Sequence, residues 1–215
     1  TRMALYGTMS RWRGDPAGGV RPFDVRRDGT LPGEGAGILI LEELGHALRR
    51  NARIHGEVLG AGSGCDAVAT GGLDPDGAGT EVAVRSALRE AGIAPAEVGH
   101  VNAHAAGFQV GDLAEARAFA RIFGPKKVPV VGLKGYLGNV ASGAGAVELI
   151  ASLVGVNRGL VPPTLNCDDL DPACEIDVPT GAPRPSESPI FVNTNVNVNG
   201  QAAAVVVKGG PVAAD

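Results

Sequence analysis

The feature that most constrains the fold is an alternation of short apolar runs and helical stretches along the chain. Apolar runs bounded by turn formers predict strands, and apolar residues that recur every three or four positions predict helices. We predict strands over residues 36–42, 54–61, 99–103, 128–133, 190–195 and 202–207, and helices over residues 44–51, 80–92, 113–123 and 143–157. The pair Asn199 and Gly200, between the last two strands, is typical of a tight hairpin turn. This order predicts an α/β fold in which helices pack against a mixed sheet.

Two of the predicted helices carry further information. Asp112 is expected to cap the helix over residues 113–123. The helix over residues 143–157 is apolar on all sides, so we expect a buried central helix. Such a helix needs a layer on each side, and this chain has too few strands to supply the second layer. Because the chain also begins at Thr1 rather than Met, we expect it to be one piece of a larger structure.

Charge and hydropathy exclude several classes of function. The chain has 19 Lys and Arg residues against 23 Asp and Glu residues, a net charge of −4. Nucleic-acid binding needs a clustered basic surface instead. No apolar run reaches the roughly 18 residues that a membrane span needs. We therefore expect neither a nucleic acid nor a membrane as a partner.

The cysteines indicate a reducing compartment and no metal site. Cys65, Cys167 and Cys174 are an odd number and lack zinc-type spacing. We therefore expect a cytoplasmic protein, and the sequence indicates no metal or organic cofactor. The acidic residues around Cys167 and Cys174 would raise the pKa of their thiols, so none of the three is expected to act as a nucleophile.

Four polar residues are candidates for chemistry because of where they follow the predicted strands. His104 comes after one strand, Lys134 and Asn139 come after the next, and Glu148 lies one turn into an apolar helix. Loops that follow parallel strands converge on one crevice. The imidazole could act as a general acid or base, or donate to an oxyanion. A carboxylate in an apolar helix needs a partner, and Lys134 is a plausible one.

A structural role for each of these residues is the alternative. His104 could be satisfied by backbone groups, the glycine-rich stretch around Asn139 could be a packing loop, and Glu148 could face solvent. If His104 does serve catalysis, the absence of a suitable nucleophile in this chain implies that another segment supplies one.

A series of short motifs resembles one known family over nearly the whole chain. In order, they are RPFD (21–24), RDG (27–29), GEGAG (33–37), VNAH (101–104), GD with EA (111–112 and 115–116), Lys134 with residues 138–148, and PPTLN (162–166). Together they resemble the β-ketoacyl-acyl carrier protein synthases. The resemblance implies the thiolase fold, with residues 1–52 ending its N-terminal half, residues 53–210 forming its C-terminal half and residues 211–215 as a tail.

The resemblance also implies an activity. Members of this family condense an acyl thioester with malonyl-acyl carrier protein, with loss of carbon dioxide, and hold the acyl group on a cysteine that would lie in the missing half. His104, Lys134 and Glu148 match the family's His, Lys and Glu. The implied partners are an N-terminal ketosynthase half or second subunit and an acyl carrier protein, within a homodimer or heterodimer.

Three departures from the family pattern leave the activity open. Asn139 stands where the family has a second His. Ala105 and Ala106 follow His104 in place of hydroxyl-bearing residues. The family's gating loop corresponds to Asn197, Val198, Asn199 and Gly200, with Val198 in place of the gate Phe.

Two interpretations follow, and a third comes from another class. An active, specialised condensing enzyme is possible because an amide can donate to a developing oxyanion as an imidazole does. A catalytically silent partner, similar to a chain-length factor, fits the Ala-rich segments, although such partners usually lose the His that His104 retains. The third interpretation is a structural interaction module that binds no substrate.

Overall fold

The described part of the chain, residues 8–68 and 72–210 of a computed structural model, is built on a five-stranded sheet. Its strands are β1 (Gly56–Cys65), β2 (His100–Ala103), β3 (Val130–Gly132), β6 (Ile190–Val196) and β7 (Gln201–Gly209). They lie in the order β1-β7-β6-β2-β3, and β4 (Leu160–Val161) pairs separately with β5 (Arg184–Pro185). β1, β7 and β6 are antiparallel, whereas β6, β2 and β3 are parallel. The mixed sheet is therefore confirmed.

Helices cover both faces of the sheet. They are α1 (Leu44–Arg49), α2 (Ala78–Ala91), α3 (Gln109–Phe123), α4 (Lys134–Leu137) and α5 (Ala144–Val156), with short 3-10 turns at Pro16–Gly18, Pro95–Glu97 and Ala141–Gly143. Val101 of β2 packs in one apolar cluster with Ala87 of α2 and Phe119 of α3. On the opposite face, Phe191 of β6 packs with Val156 of α5. Because strand residues alternate between faces, one strand contributes to both layers.

The first predicted strand is wrong. Residues 36–42 form no strand in the described structure, and Ile38 and Ile40 are 84% and 83% exposed. Apolar residues favour burial, but a strand forms only where a neighbouring strand provides hydrogen bonds. Apolar side chains left uncovered in this way are typical of an interface.

α5 has apolar residues on all sides, and the described residues cover one side of it. Glu148, Ser152 and Val156 of α5 are buried, at spacings of four residues, whereas Val154 is 44% exposed. The layer expected to cover the exposed side is not formed by the described residues. This arrangement agrees with the expectation that part of the fold lies elsewhere.

The role predicted for Asp112 is wrong. α3 begins at Gln109, so Asp112 lies within its first turn rather than at its cap. The carboxylate is fully buried and accepts the N–H groups of Gly107 at 3.1 Å and Phe23 at 3.0 Å. It therefore ties the start of α3 to distant backbone, which local sequence patterns do not reveal.

β1 extends beyond its predicted end at residue 61, because the glycines in its last part lack the apolar pattern of a strand. The loop expected from residue 62 begins only after Cys65. Gly60, Gly62 and Gly64 alternate along β1 and let α2 approach closely; a Cβ atom at Gly62 would lie 2.2 Å from the carbonyl oxygen of Ala83. Glycine in a strand usually indicates a bend or a close backbone approach, and the second applies here.

The proposed division of the chain near residues 52 and 53 stays a prediction, and the tail over residues 211–215 lies outside the described residues. Within the described ranges, every helix is too short or too polar to cross a membrane.

Candidate active site

The candidate residues gather where β2 and β6 end. β2 ends at Ala103, and His104 follows it directly. β6 runs parallel to β2 and carries Thr194 and Asn195 towards its own carboxyl end. Parallel strands end at the same edge of a sheet, which is where loops can build a site.

Lys134 and Glu148 form a buried ion pair beside His104. Both side chains are almost fully buried, and Lys134 Nζ lies 2.6 Å from Glu148 Oε1. The same ammonium donates to the carbonyl oxygen of His104 at 2.5 Å. Burial raises the pKa of Glu148, and the charge of Lys134 opposes that shift. The partnership expected between Lys134 and Glu148 is confirmed, and the solvent-facing alternative for Glu148 is wrong.

Glu115 holds the backbone of His104 in place. Its two carboxylate oxygens accept the N–H groups of His104 at 2.8 Å and Ala105 at 2.7 Å. The hydroxyl of Thr194 donates to the same carboxylate at 3.2 Å. Burial raises the pKa of Glu115 to about 7. Ala105 has a positive φ of 37°, a conformation that costs energy for a non-glycine residue and persists only where its surroundings hold it.

Among the described residues, the imidazole of His104 has one side-chain partner. Its Nδ1 lies 3.3 Å from Asn195 Oδ1. Burial, together with the positive charge of Lys134, holds the pKa of His104 well below its usual value. His104 is therefore neutral at neutral pH, and its backbone contacts alone do not account for the position of the ring.

Asn139 is fixed by a local turn. Its Oδ1 accepts the N–H of Ala141 at 3.0 Å. Its backbone N–H donates to Leu31 at 2.7 Å, and its carbonyl accepts from Gly33 at 3.0 Å. We find no hydrogen bond between Asn139 and His104 across residues 8–68 and 72–210. A joint role for the two side chains stays a prediction.

The loop predicted to correspond to a gate lies near His104. Asn197 Oδ1 accepts the N–H groups of Asn199 at 2.9 Å and Gln201 at 3.1 Å, and Gly200 has a φ of 79° as the turn requires. Asn197 and His104 line one small cavity. Val198 lines an open groove of about 530 Å³, which shares Leu73 and Phe108 with that cavity. A gating role for this loop stays a prediction.

Two of the three cysteines lack the character of nucleophiles. Cys167 and Cys174 are buried, and burial with neighbouring carboxylates raises the pKa of both thiols to about 12. Cys65 is exposed and free. Within the described ranges, no three His, Cys, Asp or Glu side chains are grouped so that they could hold a metal ion. The site can therefore position hydrogen bonds and protons.

Sequence reasoning missed two residues of this cluster. Glu115 was noticed only as part of a motif, although a second acid three residues after Asp112 in an apolar helix already indicates burial with partners. Asn195 was not singled out. The available signal was its place at the carboxyl end of a strand, next to the Asn197 loop.

Over most of its length the chain is similar to known proteins. The family described as "Beta-ketoacyl synthase, C-terminal domain" matches residues 55–168. A 3-oxoacyl-[acyl-carrier-protein] synthase 2 of Mycobacterium bovis is 40% identical over 92% of this chain and 47% of its own length. The solved ishigamide ketosynthase/chain length factor is 34% identical with a TM-score of 0.88, over 97% of this chain and 50% of that chain.

A third likeness includes a carrier protein. The solved AntDE:AntF structure, described as a type II acyl-carrier protein in complex with its ketosynthase, is 27% identical with a TM-score of 0.92, over 97% of this chain and 52% of that chain. The chain thus spans about half the length of the relatives it matches.

Proposed function

Because the chain belongs to the β-ketoacyl synthase family and has the thiolase fold of its C-terminal half, we propose that it forms half of a condensing enzyme. The proposed reaction joins an acyl thioester to malonyl-acyl carrier protein with loss of carbon dioxide. The observation that supports it most is the buried cluster of Lys134, Glu148 and His104 at the carboxyl edge of the sheet. A cysteine outside these 215 residues would hold the acyl group.

The chemistry of the step fits groups that donate hydrogen bonds. When the malonyl group loses carbon dioxide, the electrons of the broken bond form an enolate whose oxygen carries negative charge. The enolate carbon then attacks the acyl thioester carbonyl, and the cysteine thiolate leaves. N–H donors placed at the enolate oxygen lower the barrier, and removing one donor typically costs about 10²–10³-fold in rate.

We propose the Asn139 amide as such a donor. Because its Oδ1 is engaged by Ala141, the orientation of the amide is fixed and its NH₂ group is the end left to donate. An amide NH₂ donates at any pH, whereas an imidazole donates only from a protonated nitrogen. Because a neutral imidazole still carries one N–H, Asn139→His in the complete protein should retain condensation.

We propose a second subunit and an acyl carrier protein as partners. Relatives of known structure are described as a ketosynthase with a chain length factor and as a ketosynthase with its carrier protein. The exposed apolar residues Ile38, Ile40 and Leu41 and the uncovered side of α5 are the surfaces we assign to the other half of the fold. The junction of the two halves is placed near residues 52 and 53. Three free cysteines support a cytoplasmic location.

The second candidate is a silent, chain-length-factor-like partner. The small residues Ala105, Ala106 and Gly107 after His104 favour it, since they provide no hydroxyl group to a carrier arm. The likeness to a structure that contains a chain length factor is compatible with it. A purely structural module is the remaining alternative.

Covalent labelling of the complete protein tests the proposal. The complete protein, with its partner subunit, is exposed to an acyl-carrier substrate or to a cysteine-directed condensing-enzyme inhibitor and measured by mass spectrometry. The proposal expects one adduct, on a cysteine outside this chain. Cys65→Ser is the matched control, because Cys65 is the exposed thiol here and should not change the adduct. Absence of any adduct on the subunit that contains this chain would favour the silent partner.

A further inference from the structure

Asn195 lies between a charged carboxylate and an imidazole. Its Oδ1 is 3.3 Å from His104 Nδ1. Its amide nitrogen is buried without a partner at full hydrogen-bond geometry, as is Glu148 Oε2. Burial raises the pKa of the Glu148 carboxyl, and the Asn195 amide, like Lys134, opposes that shift. Both atoms, the Asn195 nitrogen and Glu148 Oε2, are therefore buried polar groups that lack a full hydrogen bond.

The charge of Glu148 fixes which way the amide points. Lys134, at 2.6 Å, favours the ionised carboxylate of Glu148. A carboxylate only accepts hydrogen bonds, so it attracts the NH₂ end of Asn195 and repels the carbonyl end. Turning the amide over would place Oδ1 against Glu148 in a buried setting, where such a contact costs the most. The oxygen of Asn195 is therefore the end that meets His104.

The orientation of the amide decides where the proton of His104 sits. An amide oxygen accepts and cannot donate, so the nitrogen that faces it must be the protonated one. We propose that Asn195 is a positioning residue that holds neutral His104 as the tautomer protonated at Nδ1, with Nε2 unprotonated. The series of side chains that sets this tautomer runs from Lys134 through Glu148 and Asn195 to His104.

This tautomer gives His104 a defined role in the reaction proposed above. That role rests on the proposed function. An unprotonated Nε2 accepts a proton or a hydrogen bond, and it cannot donate one. His104 would therefore act as an acceptor, and donation to the enolate oxygen would fall to the Asn139 amide. The Asn139 amide would then supply the donor that an imidazole which only accepts cannot provide.

Nitrogen NMR of the complete protein, with its partner subunit, tests the tautomer directly. Histidine is labelled with ¹⁵N, and the His104 signals are assigned by their loss in His104→Gln. We expect one protonated nitrogen, Nδ1, and one unprotonated nitrogen, Nε2, at neutral pH. A wild-type spectrum with the proton on Nε2 would overturn the proposal without any variant.

Two variants separate positioning from mere packing. Asn195→Leu removes the acceptor at similar volume, so the proton should move wholly or partly to Nε2. The matched control is Asn193→Leu, because Asn193 lies on the same face of β6, contacts the carbonyl of Gly145 at 3.5 Å and should leave the tautomer unchanged.

An unchanged tautomer in folded Asn195→Leu would show that Asn195 only packs. The readout needs no turnover, so it is independent of the labelling experiment. A protein that forms no adduct but has the Nδ1 proton would refute the condensing activity and retain the positioning role.

Discussion

Two histidines, one at the start of β2 and one directly after its end, experience opposite surroundings. His100 begins the strand, is fully buried and stacks on Phe191 with ring centroids 5.2 Å apart. Neither of its ring nitrogens has a partner among the described residues. His104, four residues later, contacts Asn195 through Nδ1, while Glu115 and Lys134 hold its backbone.

The difference shows that position along a strand, and not residue type, decides what a histidine does. Asn102 lies between the two and already has partners on α5, donating to the carbonyl of Glu148 at 2.9 Å and to Ser152 Oγ at 3.1 Å. The face of β2 therefore changes from apolar to polar over five residues. The polar end is where a parallel strand opens into loops, so side chains from several elements can reach it.

Removing the imidazole ring of His104 should have the largest effect on activity. His104→Ala in the complete protein should lower the rate of malonyl decarboxylation by about 10²–10⁴-fold, because a group that accepts or donates at the reacting atoms is lost. Release of carbon dioxide from malonyl-acyl carrier protein measures it. His100→Phe is the matched control and should leave that rate unchanged. Equal rates in both variants would remove His104 from the mechanism.

Breaking the ion pair beside His104 should cost stability as well. Lys134→Met leaves the Glu148 carboxylate buried without its partner, which should lower the free energy of unfolding by about 3–5 kcal/mol. Urea denaturation of the complete protein measures the change. The double variant Lys134→Met with Glu148→Leu should recover much of the loss, because no charge is left buried. A double variant as unstable as the single one would contradict this explanation.

His100, at the apolar end of β2, should make the free energy of unfolding depend on pH. Burial lowers the pKa of His100 to about 4, below its ordinary 6.5. The unfolded chain therefore binds this proton at a higher pH than the folded chain. Stability should begin to fall as the pH drops below about 6.5 and continue to fall until about 4, by about 3 kcal/mol in total.

His100→Phe tests this pH effect, because it keeps a ring to stack on Phe191 and removes the titrating group. Unfolding measured at about pH 7 and about pH 4 should change less in the variant than in the wild type, by about that amount. Parallel curves for the two proteins would show that His100 has a partner in solution.

The smallest effect is expected midway along the strand. Ser152→Ala removes one of the two acceptors of the Asn102 amide, and Asn102 keeps the carbonyl of Glu148. We expect a loss of about 1 kcal/mol in the free energy of unfolding. The His104 tautomer should not change. A change in the tautomer would show that the polar cluster extends farther along β2 than its hydrogen bonds indicate.

Much of the fold could be predicted from local patterns. The alternation of apolar residues predicted β2, β3, β6 and β7, and Gly92 marked the end of α2, where it has a φ of 67°. The segment over residues 36–42 could not be predicted in this way. Its composition suits a strand, but no strand pairs with it in the described structure.

The candidate site was predictable only in part. His104, Lys134 and Glu148 could be singled out because polar residues after strands, or inside an apolar helix, need a reason. Glu115 and Asn195 act through atoms that are distant in sequence, such as the backbone N–H of His104 and the imidazole Nδ1. Such contacts depend on the registry of β6 against β2, which no local pattern records.

The amino-acid sequence by itself determined the elements of this protein, the edge at which its polar residues gather and the family to which it belongs, because periodicity and motifs are local properties. Only the tertiary structure decided that one buried histidine has no hydrogen-bond partner among the described residues and another has an amide beside it. That decision depends on which strands are neighbours, and it is set by contacts between residues far apart in the chain.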